Sequence, residues 1–151
     1  MTNFSLDSIH ALQIAMQNEK DTIQIYEHML NHVRDSKGRE LIHRLIIDEH
    51  QHQTKIKEKI LLAGGRIAPL DVTIEIGFPN REQIFEMELE NCSVSELINI
   101  ALQSEQMNRD FYDYQFKRAR NKEVKNIFKW LVDQEDLHIQ NLRREYQQYL
   151  A

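Results

Sequence analysis

Apolar residues recur at helical spacing along four long stretches of the chain. These stretches cover about residues 6–34, 37–63, 94–120 and 121–149. In each of them the apolar positions lie three or four residues apart, which is the period of an amphipathic helix. Asp7 and Ser93, the latter followed by Glu96 as in a capping box, are typical of helix N-termini, and Gly64 is typical of a helix C-terminus. The pattern therefore predicts four helices.

Short polar turns join these helices in pairs. Asp35-Ser36-Lys37-Gly38 predicts a turn between the first two helices, and a turn near Asn121 joins the last two. Each pair is then expected to form an antiparallel hairpin. The sequence predicts an all-α fold, a four-helix bundle of two antiparallel hairpins in a single domain over residues 1–151.

The segment of about 64–93 between the hairpins has a different composition. It holds both prolines of the chain and three of its four glycines. Residues 72–76 alternate like a short extended piece, and Asn80 predicts the start of a short helix through about Glu90. At about 1.5 Å per residue, the predicted helices are about 40 Å long. Thirty residues are enough to cross that length. The segment is therefore predicted to be a long crossover.

The two predicted hairpins also resemble one another at an offset of 86 positions. The matching pairs are Ala15/Ala101, Gln17/Gln103, Glu19/Glu105, Tyr26/Tyr112, Arg34/Arg120, Leu45/Leu131, Glu49/Glu135 and His52/His138. An internal repeat of this kind predicts a pseudo-twofold axis. Corresponding residues near the middle of the helices would then meet inside the bundle.

The repeated acidic residues and histidines are the candidates for chemistry. Each half supplies one Glu and, 30 positions later, a Glu-x-x-His motif, whose carboxylate and imidazole share one helix face. All four Glu interrupt the apolar stripes of their helices, and no Lys or Arg lies near them on those stripes. Buried carboxylates must pair, become protonated or bind a cation, and two divalent ions would balance this set. The predicted metal ligands are Glu19, Glu49, His52, Glu105, Glu135 and His138.

A third Glu-x-x-His motif, Glu40 with His43, shows that spacing alone is not enough. About one such motif is expected by chance in a chain of this composition. Glu40 lies nine positions before Glu49, which places it on the opposite helix face at about 100° per residue. The repeat has Asn126 and Lys129 in its place, so we predict that Glu40 is solvated.

Two tyrosines are candidates for a supporting role. Tyr26 and Tyr112 stand seven positions after Glu19 and Glu105, and helical side chains lean toward the N-terminus. Their hydroxyls could bind the carboxylates that hold a metal. The alternative is that both are core aromatic residues whose hydroxyls bond elsewhere.

Composition narrows the class of protein further. The 151 residues carry a formal net charge of −5, which does not favour nucleic acid as a ligand. Cys92 is the single cysteine, so a disulfide framework and a four-cysteine metal site are excluded. No apolar run approaches the roughly 18–20 residues of a membrane span, and the first residues resemble no targeting signal. The expected location is the cytoplasm, without a membrane or nucleic-acid partner.

On these residues the sequence resembles the ferritin-like superfamily and, within it, the rubrerythrin-type proteins. The resemblance covers nearly the whole chain outside the crossover. It implies a di-iron centre bridged by Glu49 and Glu105 or their symmetry mates, with manganese or zinc as substitutes. Rubrerythrins usually carry an extra carboxylate three residues after the third-helix Glu, where this chain has Asn108. They also carry a rubredoxin-like domain with four cysteines, so one cysteine implies an external electron donor.

The resemblance implies a non-haem di-iron oxidoreductase that reduces hydrogen peroxide or O₂. Three alternatives remain open at this point: a ferroxidase or iron-handling protein without a storage cage, a di-iron hydroxylase, and a non-catalytic metal-binding interaction domain. The chain ends directly after the fourth predicted helix, so a ferritin-type storage shell is not expected. A homodimer is the base expectation for such a bundle.

Overall fold

The computed structural model describes residues 6–64 and 87–150 of the chain. The described residues form α1 (Leu6–His32), α2 (Ser36–Leu62), α3 (Val94–Arg118) and α4 (Lys122–Glu145), followed by a 3₁₀ helix (Gln147–Tyr149). They contain no strand, and the predicted all-α four-helix bundle is confirmed. No helix in this part of the chain has a stretch apolar enough to cross a membrane.

Side chains cap the starts of the helices as the sequence predicts for Ser93. Ser93 Oγ accepts a hydrogen bond from the Glu96 backbone N–H at 3.2 Å, ahead of α3. Asp35 plays the same part for α2, since its Oδ2 accepts from the Gly38 N–H at 2.9 Å. After α2, Gly64 has a φ of 78°, a left-handed conformation that glycine adopts without strain.

Three details predicted for the helix ends are wrong. The first helix begins at Leu6, as predicted, but Asp7 then lies within the helix and not at the N-cap position. The turn predicted over residues 35–38 is shorter, because Asp35 caps α2 and the residues after it are already helical. The fourth helix was expected to reach Tyr149. It ends at Glu145, where Tyr146 leaves helical geometry at φ −109° and ψ 21°.

Only the last part of the crossover belongs to the described residues. The extended piece predicted at 72–76 and the helix start predicted at Asn80 lie outside them. Residues 87–90 are not helical, so the predicted continuation of that helix to Glu90 is wrong. Instead, buried Leu89 accepts a hydrogen bond from the Cys92 N–H at 3.2 Å, which closes a turn just before α3.

The helices enclose a polar layer between two apolar clusters. α1 packs along α2 and α3 along α4, and contacts of α1 with α4 and of α2 with α3 join the hairpins. One apolar cluster includes Ile25, Met29, Leu41, Leu45, Ile98 and Leu142; the other includes Leu12, Ile56, Ile60, Phe128, Leu131 and Val132. Glu19 lies between the two clusters along α1. The same holds for the acidic residues in the middle of the other helices.

Candidate metal centre

The structure brings all six predicted ligands together in this polar layer. The four carboxylates are at most 1% exposed, and each comes from a different helix. Candidate ligand atoms lie within 4.8 Å of one another in three overlapping sets: Glu49, His52 and His138; Glu19, Glu49, His52 and Glu135; and Glu105, Glu135 and His138. Helical periodicity explains this convergence, because each Glu occupies an inward position and each His follows at i+3.

His52 directs one ring nitrogen at three carboxylates. Its Nδ1 lies 3.9 Å from Glu19 Oε2, 3.8 Å from Glu49 Oε2 and 3.7 Å from Glu135 Oε1. The side chain is 13% exposed, so this edge of the cluster approaches the surface of the bundle.

His138 lies deeper and has carboxylates on both sides of its ring. Its Nδ1 lies 3.2 Å from Glu105 Oε2 and 3.6 Å from Glu49 Oε1, while Nε2 lies 3.2 Å from Asp48 Oδ2. Burial lowers the pKa of His138, but the charges of Glu105 and Asp48 outweigh it and raise that pKa to about 10. Without a metal, the ring is therefore a cation that holds these acids together.

The two tyrosines bind carboxylates across the bundle. The Tyr26 hydroxyl on α1 donates to Glu105 Oε1 on α3 at 2.7 Å, and the Tyr112 hydroxyl on α3 donates to Glu19 Oε1 on α1 at 3.2 Å. Burial first, and nearby carboxylates second, raise the pKa of both tyrosines well above the ordinary value. Both hydroxyls therefore keep their protons and remain donors at neutral pH.

A buried amide network on the α1–α3 side was not predicted as part of the site. Asn18 Nδ2 donates to the Tyr112 hydroxyl at 2.9 Å and to Asn108 Oδ1 at 3.2 Å. Asn108 Nδ2 lies 3.4 Å from Thr22 Oγ1, and these residues are at most 1% exposed. Asn18 directly precedes Glu19, and Asn108 follows Glu105 by three positions. Their places on the inner stripes are the signal that could have identified them.

The carboxylates have more acceptor atoms than the surrounding protein satisfies. Among the described residues, both oxygens of Glu49 and one oxygen each of Glu19 and Glu135 are buried without a hydrogen-bond partner. No described Lys or Arg is buried. Burial, together with neighbouring carboxylates, raises the pKa of Glu49 and Glu135 well above the ordinary value.

The pKa of Glu105 shifts in the opposite direction. Burial alone would raise its pKa, but the charge and hydrogen bond of His138 hold it well below the ordinary value. The arrangement thus leaves buried acceptor oxygens facing one another, and the donor set suits divalent cations.

The third Glu-x-x-His motif lies outside this arrangement. Glu40 and His43 are exposed, as predicted, and so is His50, next to Glu49. The outward position of Glu40 follows from its distance of nine residues from Glu49. The same pattern in the same helix therefore gives one pair that faces the carboxylate cluster and one that is solvated.

One Glu from each of two helices and Glu-x-x-His from each of the other two is the arrangement found in ferritin-like dinuclear carboxylate proteins. The family model for Rubrerythrin matches residues 96–150, which carry Glu105, Glu135 and His138. This match supports the resemblance to rubrerythrin-type proteins over the second hairpin of the bundle. No curated protein matches the chain.

A solved structure shows the same fold. A hypothetical protein from Pyrococcus furiosus is 21% identical to this chain, with a TM-score of 0.56. The alignment covers 99% of this chain and 92% of that one. At this identity the likeness concerns the fold alone.

Proposed function

We propose that this chain binds two iron ions in the bundle and reduces hydrogen peroxide or O₂. The observation that supports this proposal best is the layer of four buried carboxylates and two imidazoles, with acceptor oxygens that have no partner in the described protein. Two divalent cations would neutralise these carboxylates. Carboxylate-rich sites with a histidine for each metal suit iron or manganese.

Glu49 and Glu135 are the carboxylates that lie near both imidazoles, so either metal ion would have them within reach. The two oxygens of Glu49 face different imidazoles, with Oε1 3.6 Å from His138 Nδ1 and Oε2 3.8 Å from His52 Nδ1. Glu135 likewise belongs to ligand sets of both histidines. Glu19 would serve an ion held by His52, and Glu105 an ion held by His138. The resemblance implied Glu49 and Glu105, or their symmetry mates, as the bridge, and Glu105 lies near His138 but not near His52.

Ferrous iron supplies electrons for the reduction when it is bound, and the protein controls its surroundings. Tyr26 and Tyr112 fix one oxygen of Glu105 and one of Glu19. The other oxygen of Glu19 has no partner among the described residues. The other oxygen of Glu105 contacts His138 Nδ1 and would be open to a cation that replaced the proton on this nitrogen. The apolar clusters above and below keep bulk water out of the layer. In this proposal an external donor protein or a small reductant returns the electrons.

Iron handling is a second candidate because one side of the cluster reaches the surface. The side chains of His52 and Asp48 are 13% and 26% exposed, whereas Asn18 and Asn108 on the opposite side are buried. This gives iron a short route in and out between α2 and α4. For a hydroxylase the support is weaker. A cavity of about 450 Å³ is lined by residues such as Asp35, Cys92 and Tyr149, and none of the six candidate ligands lines it.

The test is rapid mixing of anaerobic Fe²⁺-loaded protein with hydrogen peroxide or with O₂, followed by the absorbance of ferric iron. Reduction of one peroxide to two waters takes two electrons and two protons, so one peroxide should oxidise two irons. We expect faster oxidation with peroxide in the wild type and in the matched control His43→Ala, and loss of this phase in His138→Ala. Faster oxidation by O₂ with release of ferric iron would favour iron handling. Absence of oxidation would contradict both.

A further inference from the structure

The two imidazoles of the cluster differ in the carboxylates that lie next to their second ring nitrogen, Nε2. His138 has Asp48 Oδ2 at 3.2 Å from Nε2, on the side away from Glu105 and Glu49. The described carboxylates within 4 Å of His52 are Glu19, Glu49 and Glu135, and all three lie nearest Nδ1. His138 therefore has a carboxylate on each side of its ring, whereas His52 has carboxylates on one side.

The internal repeat shows that this difference lies in the sequence. The residue that corresponds to Asp48 is Gln134, because each directly precedes a Glu of a Glu-x-x-His motif. Gln134 is neutral, and its Oε1 accepts a hydrogen bond from Lys55 Nζ at 3.1 Å. His52 thus lacks the carboxylate that the repeat would place behind it.

The neighbours of Asp48 differ from their counterparts in the same way. Arg44 contacts Asp48, with Nε 3.9 Å from Oδ2, and also pairs with Glu145 near the end of α4. At an offset of 86, Trp130 corresponds to Arg44 and Lys59 to Glu145, and Lys59 Nζ lies 4.5 Å from the centre of the Trp130 ring. A series of ion pairs therefore runs from Glu145 through Arg44 and Asp48 to His138. In the other half of the repeat, a cation–π contact stands where Arg44 and Glu145 form an ion pair.

We infer that Asp48 is a positioning residue for His138 and makes the two metal positions unequal. This inference rests on the proposed dinuclear site. His138 Nε2 is buried without a hydrogen-bond partner among the described residues, and Asp48 Oδ2 lies 3.2 Å from it. If His138 held a metal through Nδ1, Nε2 would carry the proton, and Asp48 would be placed to accept it. Such a hydrogen bond fixes the tautomer and the ring orientation and strengthens the imidazole as a ligand. The His138 position should therefore fill first and empty last, and the more exposed His52 position should exchange more readily.

The test is a titration of metal-free protein with Co²⁺, which reports ligand geometry through its visible spectrum. The wild type should bind two Co²⁺ per chain, one more tightly than the other. Asp48→Ala should weaken the tighter step by about 10- to 100-fold and leave the weaker step unchanged. Asp48→Asn, which keeps an oxygen acceptor, should recover part of this loss. Gln134→Asp should strengthen the weaker step.

Asp136→Ala is the matched control. Asp136 also adjoins a ligand candidate, is partly exposed and pairs with an arginine, Arg109, at 3.0 Å. Its loss should change neither step. Two equal steps in the wild type, or an equal loss of both steps in Asp48→Ala, would overturn the inference and leave the dinuclear site standing. Failure of the wild type to bind two Co²⁺ would instead contradict the proposed site itself.

Discussion

Tyr112 is connected to both the amide network and the carboxylate layer. Its hydroxyl accepts from Asn18 Nδ2 at 2.9 Å and donates to Glu19 Oε1 at 3.2 Å. The other oxygen of Glu19 is buried without a hydrogen-bond partner among the described residues. In the metal-free protein, Tyr112 is therefore the hydrogen-bond donor that keeps Glu19 in place.

Tyr112→Phe should lower the free energy of unfolding of the metal-free protein by about 1–3 kcal/mol, the usual range when a buried polar group loses its partner. Urea denaturation measures this change. Tyr114→Phe is the control on the same helix, because Tyr114 is 55% exposed, and surface changes usually stay within about 0.5 kcal/mol. Equal losses in the two variants would contradict the role given to Tyr112.

Residues that interrupt the apolar face of their own helix could be predicted from the sequence. Residues whose role depends on a contact with another helix could not. The six ligand candidates interrupt apolar stripes and recur in the repeat, so two signals in the sequence point to them. Asp48 contacts a histidine of another helix, and its counterpart in the repeat is Gln134. Its contact depends on how α2 and α4 are placed relative to each other, which periodicity within one helix does not report.

At the scale of the helices, Ser93 and Asn121 were the informative signals for helix starts, whereas Asp7 was not. Ser93 caps α3, and Asn121 caps α4 through hydrogen bonds that its Oδ1 accepts from the N–H groups of Glu123 at 2.8 Å and Val124 at 3.2 Å. Gly38 misled the prediction. It lies in the first turn of α2, and a Cβ there would come within 2.6 Å of Leu97 Cδ1 on α3. The glycine thus stands at a close approach between helices, which a local turn rule does not include.

Asn121→Ala should destabilise the fold without altering the metal centre. Loss of an N-cap typically lowers stability by about 1 kcal/mol, and Asn121 lies a full 14 residues before Glu135. Thermal unfolding should show a lower midpoint, with an unchanged number of irons bound per chain. Asn121→Asp, which keeps the acceptor oxygen, should be close to the wild type. A midpoint that stays the same in Asn121→Ala would contradict the capping role.

For the molecule as a whole, the polar layer opposes folding unless a proton or a cation neutralises it. Glu49 and Glu135 have a raised pKa in the metal-free fold, and so does His138, at about 10. The folded state therefore binds protons more tightly than the unfolded chain does. The contribution of His138 is fully present below its unfolded pKa of about 6.5 and is lost as the pH rises through its folded value.

Glu49 and Glu135 add to the same trend, because their contributions are fully present below the unfolded pKa of about 4.3 and are lost as the pH rises through their raised folded pKa. The lowered pKa of Glu105 acts in the opposite sense, but its contribution is complete above about pH 5. The free energy of unfolding of metal-free protein should therefore fall between about pH 6.5 and 9. Urea denaturation across this range checks it. Glu135→Gln should be more stable than the wild type at pH 9, and a flat or rising profile would contradict the account.

The central claim is that the layer between the two apolar clusters holds two metal ions, and an anaerobic Fe²⁺ titration of metal-free protein tests it most directly. The account predicts two tightly bound irons per chain in the wild type and in Glu40→Ala, whose carboxylate belongs to the solvated motif. It predicts loss of tight binding in Glu49→Ala and Glu135→Ala. Absence of tight iron binding in the wild type, or binding that these two substitutions leave unchanged, would contradict it.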